Sequence, residues 1–339
     1  MDKSSAVLFD YSKAAGLLKK SFVKDRVIQL FQQNSLSEIW ALIFKTPAPL
    51  VPEVMLAKEI EKQALSNFLK QYEFFLKQFD NPSVILKNQF RVYEIENLEE
   101  IIDALCSAEK ELPELIDLHG HSVLKTEKWP DIAKITEGTE YQWINRIPDI
   151  HDQQKISFKL DLQLVQETWK AIQQCKGENK LAHEKLFLDE YVIKNIIWAL
   201  RLSIFYGMTK EQVIENLFYV GEKASKNDPL AGPAIKVLSF NPEKYSEWEK
   251  WEFRKYLNPH IDGDTWKVDP SWIEKSSMLD QEKHAYAIFH QYSMEDVALV
   301  AWFKIKVYEL SCIRTAVEAL RLNVGSQEAM SILGINSLE

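Results

Sequence analysis

With 339 residues, 46% of them hydrophobic and 27% charged, the chain has the composition of an ordinary globular protein large enough for more than one domain. A net charge of −9 works against binding a nucleic-acid backbone, which needs clustered lysine and arginine, so no nucleic-acid partner is expected. Glycine, at 10 of 339 residues, is scarce against the usual ~7% and argues for long helices over a turn-rich sheet.

No apolar run approaches the ~20 residues that a membrane helix requires, and the N-terminus lacks the apolar core of a signal peptide, so a cytoplasmic chain is expected. Cys106, Cys175 and Cys312 are far apart and show no CxxC spacing, which reads as reduced, structural thiols.

In chain order, Leu8, Tyr11, Ala15, Leu18 and Phe22 keep helical spacing, with Lys13, Lys19 and Lys20 on the outer face. Val27 to Phe31 follows. Ser35 and Glu38 then have capping-box spacing ahead of Ile39, Trp40, Leu42 and Ile43, and Pro47, Pro49 and Pro52 stop that helix. A long helix is predicted from about Glu53 to Phe79, with Met55, Ile60, Ala64, Phe68, Tyr72 and Phe75 on its apolar face.

The next helix carries the motif around which the chain is organised. In YEIENLEEIIDAL the apolar positions Leu98, Ile101, Ile102 and Leu105 recur at i, i+3, i+4 and i+7, and Asn97 sits on the same face. A buried amide must find a hydrogen-bond partner, so Asn97 is expected to mark a specified helix-to-helix contact. After Pro113, His119, His121, Pro130 and Gly138, a helix is predicted from about Ser157 to Cys175 with Leu160, Leu164, Trp169 and Ile172 inward.

EYVIKNIIWALRL then repeats the motif face with Val192, Asn195, Ile196, Ala199 and Leu200. Gly207 and the capping-box pair Thr209 and Gln212 follow it. Asn227 to Pro242, with three prolines and a glycine, reads as a connection. Trp248, Trp251, Trp266 and Trp272 alternate with charges, which suits either an exposed contact patch or rings that clamp a loop onto the core.

Ser293 and Asp296 open a helix predicted to reach Leu322, and its YELSCIRTAVEALRL presents Glu309, Cys312, Ile313, Ala316, Val317 and Leu320 as a third version of the face. Gly325 and Ser326 take the places of Gly207 and Thr209 in ending one helix and capping the next. The chain therefore reads as all-α, with three related helical units: residues 1–112, 113–235 and 236–339, helices being shared between them at the boundaries.

Chemistry is sparse. There is no phosphate loop, dinucleotide fingerprint, GxSxG or HExxH, so no cofactor is expected. His151 and Asp152, with His119, His121 and Asp189, have the residue types of a helical metal-dependent phosphohydrolase, but the His-Asp pair lies in a polar stretch after Pro148. Asp262 and Asp264 flank Gly263 without the glutamate spacing of a calcium loop, and His284 and His290 are too far apart on a helix to chelate. Glu94, Asn97, Asn195, Arg201, Cys312 and Arg314 remain as the motif positions, read as buried hydrogen bonds and surface ion pairs or as partner contacts.

With YEIENLEEII around Asn97, KNIIWALRL around Asn195, ELSCIRTAVEAL around Arg314, and KDRVIQLF ahead of Trp40 and Pro47, the sequence resembles the C subunit of bacterial and archaeal V-type (A-type) ATPases, the relative of the eukaryotic d subunit. The resemblance covers nearly the whole chain. It implies a funnel of three helical bundles about a pseudo-threefold axis and a non-catalytic central-stalk role. Such a protein caps the membrane proteolipid ring, receives the central axle, and couples ATP turnover to H+ or Na+ transport at the cytoplasmic face. Cys312 stands where that family tends to place an amide, which puts the symmetry of the third unit in question.

Overall fold

The computed structural model describes residues 2–261 and 263–335, and these are all-helical: fourteen α-helices and four short 3₁₀ turns, with no strand among the described residues. The described residues divide into two compact units, residues 66–174 and residues 2–65 with 175–261 and 263–335. Six helices are long. They are α4 (Glu53–Leu76), α5 (Val84–Cys106), α7 (Gln153–Gln174), α8 (Gly177–Ile204), α12 (Pro270–Gln291) and α13 (Val297–Leu322), and in sequence they form three successive pairs whose second member carries the motif.

In the first unit α5 packs on α7, and the intervening chain, with the short helix α6 (Ile132–Ile135), folds over them. The core joins Leu98, Ile101, Ile102 and Leu105 of the motif to Leu124, Ile132, Ile135, Tyr141 and Ile144 of that connection and to Leu160 and Leu164 of α7. Helical periodicity alone therefore placed this face correctly. Ser83 caps α5 by accepting from the Leu86 amide, and Tyr72 of α4 donates its hydroxyl to the Leu86 carbonyl.

The second unit is built on α13. From Val297 to Phe303 every residue is buried, the signature of a helix surrounded on all sides, and α13 meets α1 (Lys3–Leu18), α2 (Ile28–Phe31), α3 (Leu36–Phe44), α8, α12 and α14 (Ser326–Ile332). α8 and α12 run antiparallel, since Asp189 pairs with His284 at 2.8 Å and Arg201 with Glu274 at 2.6 Å.

Three expectations need correction. The segment from Asn227 to Pro242 is not only a connection: it contains α10 (Ala231–Val237), buried against α8 after the short helix α9 (Lys210–Ile214). Pro233 is tolerated because it falls in the first turn, where its missing N–H has no helical partner, and the Asp228 carboxylate supplies the cap by accepting from the Leu230 and Ala231 amides. Gly325, not Ser326, is the N-cap of α14, and Asn323 takes the left-handed conformation at the end of α13 that Gly207 takes after α8. Met55, placed on the inner face of α4, is exposed.

The first helix is also rotated from its expected face. Ala6, Val7, Asp10, Ala14 and Leu18 are buried, while Leu8 is exposed. The small Ala6 and Ala14 lie on the face that meets α13, and the same rotation carries Asp10 inward, where neither carboxylate oxygen has a hydrogen-bond partner. Burial pushes its carboxyl up to about 7 from the ordinary 3.8. Between those values the folded state keeps a proton that the unfolded chain has released, so stability falls as pH rises from about 4 to about 7 and the loss is complete above 7. Asp10→Asn is therefore expected to raise the unfolding free energy by on the order of 2 to 3 kcal/mol above pH 8 and to change it little near pH 4. Urea unfolding across that range checks this; a pH-independent difference between the two proteins would refute the assignment.

Candidate functional site

Asn97, Asn195 and Cys312 occupy equivalent positions on α5, α8 and α13, and all three are buried. Asn97 is fastened to one residue of the chain that follows: its Nδ2 donates to the Ile116 carbonyl at 2.9 Å, and the Ile116 amide donates back to Oδ1 at 2.7 Å. Asn195 repeats the arrangement on Phe218, donating to its carbonyl at 2.8 Å and accepting from its amide at 2.9 Å. The expected helix-to-helix contact is thus a helix-to-loop clamp, because one carboxamide matches the donor and acceptor of a single extended residue that has no other ladder to join.

Carboxylates add to the clamps. Glu94, one turn before Asn97, accepts at Oε1 from the Val123 amide at 2.5 Å and the Ser122 hydroxyl at 2.9 Å. Burial raises its pKa, and the two donated hydrogen bonds oppose that shift. The equivalent carboxylate on α13, Glu309, accepts from the Phe22 amide at 2.6 Å and is paired with Lys306. In the third motif the clamped backbone therefore belongs to the segment after α1. The second motif has Val192 at this position, and its loop is held instead by buried Asp228, which accepts from the amides of Val220, Gly221, Leu230 and Ala231.

Cys312 makes no such clamp. Burial drives its thiol pKa upward, so it stays a neutral thiol beside the Tyr308 hydroxyl. Arg201 and Arg314 form ion pairs, with Glu274 at 2.6 Å and with Glu61 at 2.9 Å. The Arg314 side chain is 73% exposed, so its pair adds little stability.

The remaining candidates are dispersed. His151 and Asp152 lie in an exposed 3₁₀ turn, with Asp152 paired to Lys155 at 2.9 Å. His119 pairs with Asp117, His121 stacks on Phe90, Asp189 holds His284, and His290 meets the Tyr11 hydroxyl. Among the described residues no three His, Cys, Asp or Glu side chains are grouped to hold a metal. Asp264 sits in a turn closed on the Ile261 carbonyl, and Asp262 lies outside the described residues. Of the four tryptophans, Trp248, Trp251 and Trp266 are buried, with Trp248 and Trp266 donating to the Asn241 and Asn258 carbonyls, so these rings clamp the loop; Trp272 is partly exposed. No helix among the described residues is long and apolar enough to cross a membrane.

One feature was not legible in the motifs. The antiparallel packing brings the end of α8 to the start of α12, and Lys275 of α12 reaches Ser331 of α14 at 3.4 Å. At this end of the second unit Phe205, Tyr206, Leu322 and Ile332 are exposed by 65%, 71%, 63% and 56%.

A family described as the ATP synthase (C/AC39) subunit matches residues 13–331, from within α1 to within α14. The chain belongs to this family. It is also similar to an uncharacterized protein of Treponema pallidum (strain Nichols), with 23% identity over 327 residues and 94% of each chain covered. The AC39 family is a structural component of an ATPase, which agrees with a chain whose distinctive polar residues are spent on fastening loops.

The clamps and the ion pairs predict different mutational costs. Asn97→Ala and Asn195→Ala each strand a buried amide and carbonyl and are expected to lower stability by about 2 to 4 kcal/mol, whereas Arg314→Ala should stay within about 0.5 kcal/mol. Denaturant unfolding of the three variants separates the classes, and an Asn195→Ala protein as stable as the parent would remove the clamp from the account.

Proposed function

We propose that the protein is the non-catalytic central-stalk subunit of a rotary V/A-type ATPase, where it caps the membrane proteolipid ring, receives the central axle, and couples ATP turnover to H+ or Na+ transport. The observation that carries this reading is the family match over nearly the whole chain. Its place is then the cytoplasmic face of the membrane, held there through the ring and not by insertion.

The structure supplies physical support. A coupling element transmits torque only if it resists deformation, and long helices packed at interior density are stiff. Loops are normally the compliant part of a helical protein. Here the loops after the motif helices are tied by two-way amide hydrogen bonds and buried carboxylates. The exposed Phe205, Tyr206, Leu322 and Ile332 are available for contact with a neighbouring protein of the complex.

The three-bundle division at 1–112, 113–235 and 236–339 belongs to the same proposal. Three successive pairs of long helices, each with the motif on its second member, support it. The alternative, a metal-dependent phosphohydrolase using His151 and Asp152, has no ligand set among the described residues.

The purified chain is expected to show no ATP hydrolysis and to copurify with axle and proteolipid subunits. An ATPase assembled without it should still hydrolyse ATP but lose ATP-driven ion uptake into vesicles. Undiminished ion uptake in its absence would overturn the coupling role.

A further inference from the structure

The segment from α9 to α10 encloses an open cleft of about 440 Å³, within the size range of small-ligand sites. Three of its lining residues are lysines from three different pieces of structure: Lys210 opens α9, Lys226 lies in the loop before α10, and Lys236 is in the last turn of α10. Facing them is one carboxylate, Glu252. Among the described residues none of the three ammonium groups has an ion-pair, hydrogen-bond or ring partner.

Acidic residues outnumber basic ones in this chain, so three lysines lining one cleft against a single carboxylate reverse its charge locally. Like charges sharing a cleft repel one another and contribute nothing to folding.

The cleft is also held in shape. The four backbone amides on buried Asp228 fix the loop that carries Lys226. Gly232 lets α10 close onto that loop, because a Cβ there would lie 2.6 Å from the Lys226 carbonyl oxygen. The backbone positions that carry Lys226 and Lys236 are therefore set by packing.

We infer that this cleft binds a ligand carrying a phosphate group. Lysine is a compact point charge that suits phosphate oxygens, and with Glu252 counted the three lysines leave a net charge of about +2, which a phosphate group matches. The net charge of −9 gives no long-range attraction for such a ligand, so recognition rests on short-range contact inside the cleft. A free polyphosphate and a phosphorylated inositol headgroup present the same chemistry.

The test uses the full chain. Tripolyphosphate is titrated calorimetrically, and cosedimentation is measured with phosphatidylcholine vesicles containing or lacking phosphatidylinositol bisphosphate. Binding to either probe is expected to weaken about tenfold or more in a Lys210→Gln, Lys226→Gln, Lys236→Gln protein, with unchanged circular dichroism, since up to three charge-assisted contacts are removed. A control with Lys58→Gln, Lys70→Gln and Lys185→Gln should bind as the parent does. Binding of tripolyphosphate identifies a free anion, and binding only to the bisphosphate vesicles identifies a headgroup. No binding to either probe, or equal losses in the two triple variants, overturns the inference.

Discussion

The structure depends on the rule that a polar group taken out of water must be returned a partner. A helix face that was wholly apolar could slide or rotate against its neighbours with small loss, because hydrophobic contact is non-directional. Asn97 and Asn195 remove that freedom. Each is surrounded by apolar residues of its own face, and each is satisfied by one residue only, Ile116 or Phe218, through both its donor and its acceptor. Register between helix and loop is thereby fixed to a single residue, since a slip by one would break both hydrogen bonds and strand four polar groups.

The third motif shows what happens when the amide is absent. Cys312 can neither donate nor accept strongly, and the chain after α13 soon enters α14. The buried carboxylate one turn earlier carries the load instead, and Glu309 draws in the Phe22 amide from the N-terminal segment. The beginning of the chain is thus fastened to its last long helix. Lys306 completes the site by pairing with Glu309 and donating to the Ser21 hydroxyl, so the buried negative charge is matched as well as hydrogen-bonded.

How much of this was legible in the sequence follows from which forces leave a periodic trace. The motif helices and the long α4, α7 and α13 were readable because burying one face of a rod imposes the 3.6-residue period over many turns. Position Asn97 was readable as special, but its partner was not: Ile116 is an unremarkable residue in an irregular stretch, and a backbone amide leaves no mark on composition. The inner face of α1 is only partly legible, Leu18 and Phe22 being buried as expected and Leu8 exposed, because small alanines and an aspartate hold much of the inner side in place of large apolar residues. α10 was missed because Pro233 and Gly232 read as breakers, although the first turn tolerates the proline and close packing requires the glycine.

The surface features were least legible, and for a reason that bears on function. Phe205, Tyr206, Leu322 and Ile332 come from separate parts of the sequence, and that each is exposed at or just beyond a helix end follows from the packing of α8, α12 and α14. The lysines of the α9 to α10 cleft come together only because Asp228 and Gly232 close the loop between them. At this cleft the buried fastenings that hold the loop still also fix its outer face, so a substitution at Asp228 or Gly232 reaches that surface without lying on it. In the coupling role proposed for the chain this link matters, because torque passed through a rigid core is lost if the surfaces at its ends can yield.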